Sequence, residues 1–488
     1  MGALLGGTAG AAFANAPLTS IRPAPRAPEI AVAAARSSVD ALINKIGLTG
    51  SVSFAVADAD TGEVLEAKEP GLGLPPASVT KAVTALYALD ALGPGHRFET
   101  RLVATGPIKN GVIEGHLALE GGGDPALDTD ALGEMARQLR ERGIRGITGK
   151  FLVCSGALPS VEEIDPDQPN HVGYNPAVSG LNLNYNRVYF EWKRQQGGYA
   201  VSMDARARHY APTVNIATMR VVERAVPVYT YADAGGSDEW TVARPALGKG
   251  GSRWLPVRKP EGYAAEVFKT IAASLGISLP AGRVVIGRAP AGQLLVRRLS
   301  APLSDVLRGM LKYSTNLTAE VAGLAATTAG EASFTDLAGS ASAMTKWARG
   351  ALGTGEARFV DHSGLGDRSR VNARDMVMAL LHPTAQTSLP SILKPIPMRS
   401  EQGEVLPDHP IKILAKTGTL NFVSSLAGYA TAPGGRRLAF AFFSADMAKR
   451  RSADPAAGEV PPGSRAWKSK SRRLQLQLIE RWGAAFAA

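Results

Sequence analysis

Only one cysteine, Cys154, stands in 488 residues. No intramolecular disulfide and no Cys-x-x-Cys metal or redox site is therefore available. Beyond residue 30 there is no run of about 18 apolar residues, so no transmembrane helix is expected in the mature chain. There is no short internal repeat and no G-x-S-x-G nucleophile elbow. Signatures of RRM, KH, helix-turn-helix and zinc-finger modules are missing too. Acidic residues are in deficit: Lys+Arg 54 against Asp+Glu 43 leaves a formal charge of +11. That surplus favours anionic partners. With no nucleic-acid signature, it is read as attraction to an anionic polymer rather than to nucleic acid.

What is there is globular: 45% hydrophobic and 20% charged residues, enough to build a core. The length suggests about three domains. Residues Ala3 to Ala14 are small and apolar and run into Ala14-Asn15-Ala16. Residues 1–16 read as a secretory leader with an A-x-A cleavage site, and 17–30 as a stiff Pro-rich linker. Export to the periplasm is the expectation, with Cys154 a free thiol buried beside Phe151-Leu152-Val153. Near the other end, Lys449 to Arg473 is a basic cluster preceding a helix with Leu474, Leu478 and Trp482 at i, i+4, i+8. That stripe docks the helix on a sheet, with the charges solvated outside. Peripheral contact with an anionic membrane surface or glycan is the alternative.

Ser51 to Ala57 alternates at period 2, Asp60-Thr61-Gly62 turns, and Glu63 to Glu66 returns: a hairpin. Pro75-Pro76 leads into a helix from Ser78 to about Leu92, stopped by Gly93-Pro94-Gly95. Residues 96–298 change texture, with short strands and Gly turns broken by helices near 128–142 and 261–275. Helices then cover 303–312 and 317–326. Strand-like runs close the chain at 411–414, 424–429 and 437–443. The first and last thirds share a style. The simplest architecture is one discontinuous domain (31–95 and 299–488) with an insertion, 96–298, of two small β-rich domains.

Ser78-Val79-Thr80-Lys81 carries the first chemistry. Ser78 sits at a helix start and Lys81 shares its face. A serine hydroxyl needs a neighbour to take its proton, and a lysine held neutral by burial can do so. Roughly one Ser-x-x-Lys arises by chance in such a chain, and Ser391-Ile392-Leu393-Lys394 is a decoy, because Pro395 disfavours helix there. Ser314-Thr315-Asn316 lies between two helices and can present a hydroxyl and a carboxamide to a cleft. Lys416-Thr417-Gly418-Thr419 ends the apolar strand 411–414; Lys-Thr-Gly has a chance of about one in ten. The lysine and threonine suit a substrate carboxylate, and Gly418 suits close approach of a substrate backbone to an edge strand.

In that order the three motifs resemble the penicillin-recognising serine peptidases. More than 230 positions separate Ser78 from Ser314. This spacing resembles the class C low-molecular-mass penicillin-binding proteins, the D-alanyl-D-alanine carboxypeptidase/endopeptidase family. Gly121-Gly122-Gly123-Asp124-Pro125, Leu181-Asn182-Leu183-Asn184, Glu320 and Asp361-His362-Ser363-Gly364-Leu365 support it, and it covers nearly all of 30–480. His362 stands where a glycine is common. The resemblance implies an α/β (α+β) fold: a penicillin-binding/β-lactamase-like transpeptidase domain with an antiparallel sheet and helices, plus inserted β-rich domains. It implies Ser78 as the acylated nucleophile, Lys81 as its base, Ser314 as proton shuttle and Asn316 as an orienting group. Lys416 and Thr417 would hold the terminal carboxylate, and the N–H groups of Ser78 and Thr419 would form the oxyanion hole. It further implies peptidoglycan as substrate, covalent inhibition by β-lactams, and neither metal nor cofactor. A β-lactamase or esterase on the same scaffold, or a catalytically silent wall-binding protein, are the competing readings.

Overall fold

The computed structural model describes residues 39–156, 158–330, 334–400, 402–453 and 459–486. The expected leader and linker lie outside the described residues. Contacts divide the chain after Lys45, and everything below concerns 46–488.

The expected hairpin forms as Ser51–Asp58 and Val64–Lys68. The Asp58 carboxylate accepts from the N–H groups of Asp60 (2.9 Å) and Thr61 (2.8 Å), which fixes the turn. Three strands from the far end complete an antiparallel sheet with it: Lys412–Leu420, Val423–Thr431 and Arg437–Ala445. Ser51 pairs with Ala445 and Asp58 with Leu438, so the two ends of the sequence meet in neighbouring strands. The two-residue strand Lys394–Pro395 covers one outer edge only as far as Ala415.

This sheet is buried on both faces, which explains the unbroken apolar run Leu438 to Phe443. On one face Ala55, Ala57, Ala427, Ala439 and Ala441 join the helical core. Their small side chains let helices approach closely. On the other face Phe54 and Phe440 pack on Trp482 of the helix Ser464–Ala485. The stripe of Leu474, Leu478 and Trp482 thus docks as expected. The helix Thr80–Leu92 is buried all round over residues 80–88 and packs on Asn316–Ala329. Gly93, at φ 78°, ends it.

Residues 96–298 leave and return through adjacent strands, Glu99–Ala104 and Gln293–Leu299. With Leu117–Glu120, Phe151–Cys154 and Gly282–Val285 these form a five-stranded sheet. Helices Thr129–Glu141 and Pro260–Ser274 pack together beside it. Smaller three-stranded sheets hold the rest. Cys154 is free and buried, and burial with the nearby Glu120 pushes its thiol up to about 11. The cores are segregated. Residues between 102 and 296 build one cluster, while 55–98 and 303–445 build the other. Leu158, Ile164 and Val178 cross over and pack into the second.

Candidate active site

The local backbone around Ser78 is strained by design. Ala77 sits at φ 48°, in the left-handed region that costs a non-glycine residue of order 1–2 kcal/mol. Ala77–Val79 makes one 3₁₀ turn before the α-helix starts at Thr80. Neighbours hold the turn. The Ser425 hydroxyl donates to the Pro76 carbonyl at 2.6 Å. A Cβ on Gly364 would lie 1.9 Å from the Ala77 carbonyl oxygen, and one on Gly418 would lie 2.5 Å from that of Pro76. Gly418 is therefore required, but the space it leaves is taken by the chain's own turn rather than kept for a substrate. The strand also runs on through Leu420 instead of ending at Leu414. This carries Lys416 to Thr419 past the last bridge on that edge, at Ala415.

The three motifs meet. Lys81 Nζ donates to Ser78 Oγ at 3.0 Å, to Asn316 Oδ1 at 2.7 Å and to the Ser363 carbonyl at 2.7 Å. Three acceptors saturate an ammonium. Ser314 caps the helix Leu303–Tyr313 at φ 59°, and this left-handed turn aims its hydroxyl back at Lys416, whose Nζ donates to it at 3.0 Å. Lys416 also donates to the Thr417 carbonyl at 2.7 Å. Thr419 lines the cleft, while Thr417 is half-buried. The decoy serine, Ser391, ends a helix on the exposed side, bonded to the Ser388 carbonyl.

Burial sets the electrostatics. Lys81 is fully enclosed, and desolvation pulls it down to about 8, opposed by the charges of Glu320 and Asp361. Lys416 is held well below the usual lysine range by burial and by Lys81 beside it. Glu320 is pushed up by burial and by Asp361, although it accepts the N–H groups of His362 (3.0 Å) and Ser363 (2.9 Å). Asp361 accepts from Gly364 and Gly366 at 2.6 and 2.7 Å. The two acids thus brace the loop whose carbonyl receives Lys81. His362 is buried and neutral, lowered to about 3 by burial, with Nε2 2.8 Å from Ser340 Oγ. A Cβ on Gly323 would strike its ring at 2.1 Å, so a glycine in the facing helix makes room for this histidine.

A cleft of about 670 Å³ opens over Ser78, Ser314, Asn316 and Thr419. Lys81 and Lys416 lie beneath it. Asn316 Nδ2 donates to the carbonyl of Tyr174, so the insertion forms part of the wall. Part of the basic cluster does as well: Arg450, Arg451 and Lys468 line the cleft, and Arg450 pairs with Asp367 at 2.6 Å. Arg451 is exposed, as expected of a solvated charge, whereas Arg450 is partly buried in its pair with Asp367. Sequence reasoning gave no role to Glu320, Asp361 or the Ser363 carbonyl. The run Asp361 to Leu365, already part of the resemblance, was the available signal.

A family model described as the D-Ala-D-Ala carboxypeptidase 3 (S13) family matches residues 35–459. A D-alanyl-D-alanine carboxypeptidase of Actinomadura sp. strain R39 is 29% identical over 451 residues, covering 83% of this chain and 80% of that protein. The crystal structure of penicillin binding protein 4 (dacB) from Haemophilus influenzae superposes with a TM-score of 0.70 at 21% identity. It covers 90% of this chain and 99% of the other. The same protein complexed with a β-lactam gives a TM-score of 0.68 at 20% identity. At these identities the superpositions establish a shared fold.

Proposed function

This chain belongs to the D-Ala-D-Ala carboxypeptidase 3 (S13) family, and from that premise we propose how its residues divide the work. It is a serine DD-peptidase, a hydrolase of peptidoglycan stem peptides. Ser78 is the nucleophile. Neutral Lys81 takes the Ser78 proton as Oγ bonds to the carbonyl carbon of the penultimate D-alanine. The carbonyl electron pair moves to oxygen, stabilised by the N–H groups of Ser78 and Thr419. Collapse breaks the C–N bond, and the proton passes from Lys81 through Ser314 to the departing amine. Water then hydrolyses the Ser78 ester. Asn316 orients Lys81 and the substrate, while Lys416 and Thr417 hold the terminal carboxylate on the strand Gly418 keeps in place. With a β-lactam the broken C–N bond lies in a ring, so the amine stays tethered and the adduct persists.

One observation carries this reading: a fully buried Lys81 whose amine reaches Ser78, Asn316 and the Ser363 carbonyl together. The segregated cores support a discontinuous peptidase domain, 31–95 and 299–488, with 96–298 inserted. The family is one of bacterial cell-wall carboxypeptidases, and we place this member in the periplasm. No helix among the described residues is long and apolar enough to cross a membrane. Fluorescent penicillin tests the roles. Wild type should form a long-lived adduct and Ser78→Ala none; equal labelling of both would remove Ser78 from the mechanism, and rapid turnover of the adduct would favour β-lactamase action.

A further inference from the structure

A neutral Lys81 amine has a direction. Having lost one proton, it keeps two N–H donors and gains one lone pair. Its partners are Asn316 Oδ1 and the Ser363 carbonyl, both at 2.7 Å, and Ser78 Oγ at 3.0 Å. The first two can only accept, so they take the two N–H groups. Ser78 carries a hydrogen to give, and the lone pair is left facing it. This holds while Asn316 shows its oxygen to Lys81. A carboxamide turned by half a revolution would present its nitrogen instead, and that donor would compete with Ser78 for the lone pair.

The inserted region holds the other end of that amide. Asn316 Nδ2 donates to the Tyr174 carbonyl at 2.9 Å. A carbonyl cannot donate, so only the nitrogen suits it. Tyr174 belongs to the loop 161–178, closed by a bridge between Val161 and Val178 with both N–H···O bonds at 2.8 Å. The buried Arg258 organises its interior. The guanidinium donates to the carbonyls of Glu162 (2.9 Å), Asn175 (2.8 Å) and Asn170 (3.1 Å). Asn175 follows Tyr174 directly. Its side chain accepts from the N–H groups of Ile164 and Asp165 and donates to the Asp165 carbonyl. Arg258 is itself pinned: its backbone N–H donates to the Asp238 carboxylate at 2.8 Å, and Glu163 pairs with its guanidinium at 3.3 Å. A rigid fork of five donors can serve several diverging carbonyls at once, which an ammonium cannot do in one plane. Most of this fork is spent on the shape of one loop.

We propose that Arg258 is a positioning residue for acylation: by holding the loop 161–178 it keeps the Tyr174 carbonyl on Asn316, and so keeps the Lys81 lone pair aimed at Ser78. The proposal rests on the DD-peptidase reading with Lys81 as base. It adds that the insertion sets the orientation of a group in the catalytic centre and is more than a wall. Arg258 itself exchanges no proton; the Ser78 proton still passes to Lys81.

The test is a double-mutant cycle on the full chain, read as the rate of acylation by a fluorescent penicillin, with hand mixing where the reaction is slow. Arg258→Gln should lower the limiting rate about tenfold, while the half-saturating penicillin concentration moves less than about twofold. In Asn316→Ala no amide is left to orient, so there the same substitution should cost less than about twofold. A role confined to folding would cost the same factor in both backgrounds. Equal factors, a loss carried by the half-saturating concentration, an unchanged rate in folded Arg258→Gln, or a wild-type rate in Asn316→Ala overturns the proposal. Should Arg258→Gln show no cooperative melting transition, Arg258→Lys, which keeps the charge and gives up the fork, enters the same cycle with a smaller factor and is judged by the same outcomes. If wild type takes up no penicillin, or Ser78→Ala takes up as much, the parent reading fails instead.

Discussion

In the proposed mechanism the Lys81 amine must be neutral to receive the Ser78 proton, and its burial sets the pH at which that happens. Burial brings it from 10.5 down to about 8, a drop equal to about 3 kcal/mol against the ammonium. Glu320 and Asp361 limit the fall. With a midpoint near 8, about one-tenth of the amine is neutral at pH 7 and about nine-tenths at pH 9. The second-order rate of acylation by a fluorescent penicillin, followed by stopped flow, should therefore rise about tenfold across that interval. Lys416 titrates in the same cleft, so the assignment needs a variant that acts on one lysine. Glu320→Gln acts directly on Lys81: it removes the larger of the two carboxylate influences that raise it, together with the titration of Glu320 itself, which burial pushes up to about 8, and it reaches Lys416 only through Lys81. Its midpoint should move to lower pH. The glutamine can accept only one of the N–H groups of His362 and Ser363 well, so stability should fall by about 1–3 kcal/mol. A flat profile between pH 7 and 9, or a midpoint that rises in Glu320→Gln, would refute the neutral-lysine mechanism.

Other perturbations read different parts of the molecule. Gly418→Ala puts a methyl against the Pro76 carbonyl and Val79 nitrogen, so it should cost about 1–3 kcal/mol and slow acylation; normal values in thermal melting and penicillin labelling would clear the turn of that role. His362 is lowered from 6.5 to about 3, so the folded state holds its proton less tightly than the unfolded chain. The stability this group contributes is complete above 6.5 and is lost as pH falls toward 3. Between pH 7 and 5 urea unfolding should register a loss of about 2 kcal/mol, reduced in His362→Gln. Trp482→Ala removes a ring packed on Phe54 and Phe440 and a donor to Glu66, at about 3–5 kcal/mol in denaturant unfolding.

The legible parts were those whose signal is local. The hairpin, the Thr80–Leu92 helix with its Gly93 stop and the C-terminal stripe follow from periodicity and turn chemistry. Ser78, Lys81, Ser314, Asn316 and Lys416 followed from residue type and order, and all five converge. The missing parts are those made by long-range contact. A backbone carbonyl such as that of Ser363 has no sequence signal, so the third acceptor of Lys81 was invisible. Arg450 looked solvated because its partner, Asp367, lies 83 positions earlier. Gly418 was assigned to the substrate because nothing in the sequence reveals that Pro76 comes to rest against it.

The strands Glu99–Ala104 and Gln293–Leu299 are hydrogen-bonded neighbours. To the rest of the molecule, everything between them hangs from a doorway one hairpin wide. Such a graft can lengthen or shorten without moving the catalytic floor, because its ends are already pinned together and closing the loop adds little entropy cost. What it cannot do freely is swing. Leu158, Ile164 and Val178 fasten its inner rim to the host core, and the Tyr174 carbonyl accepts from Asn316, so change within the graft reshapes the cleft wall and is felt first at Asn316.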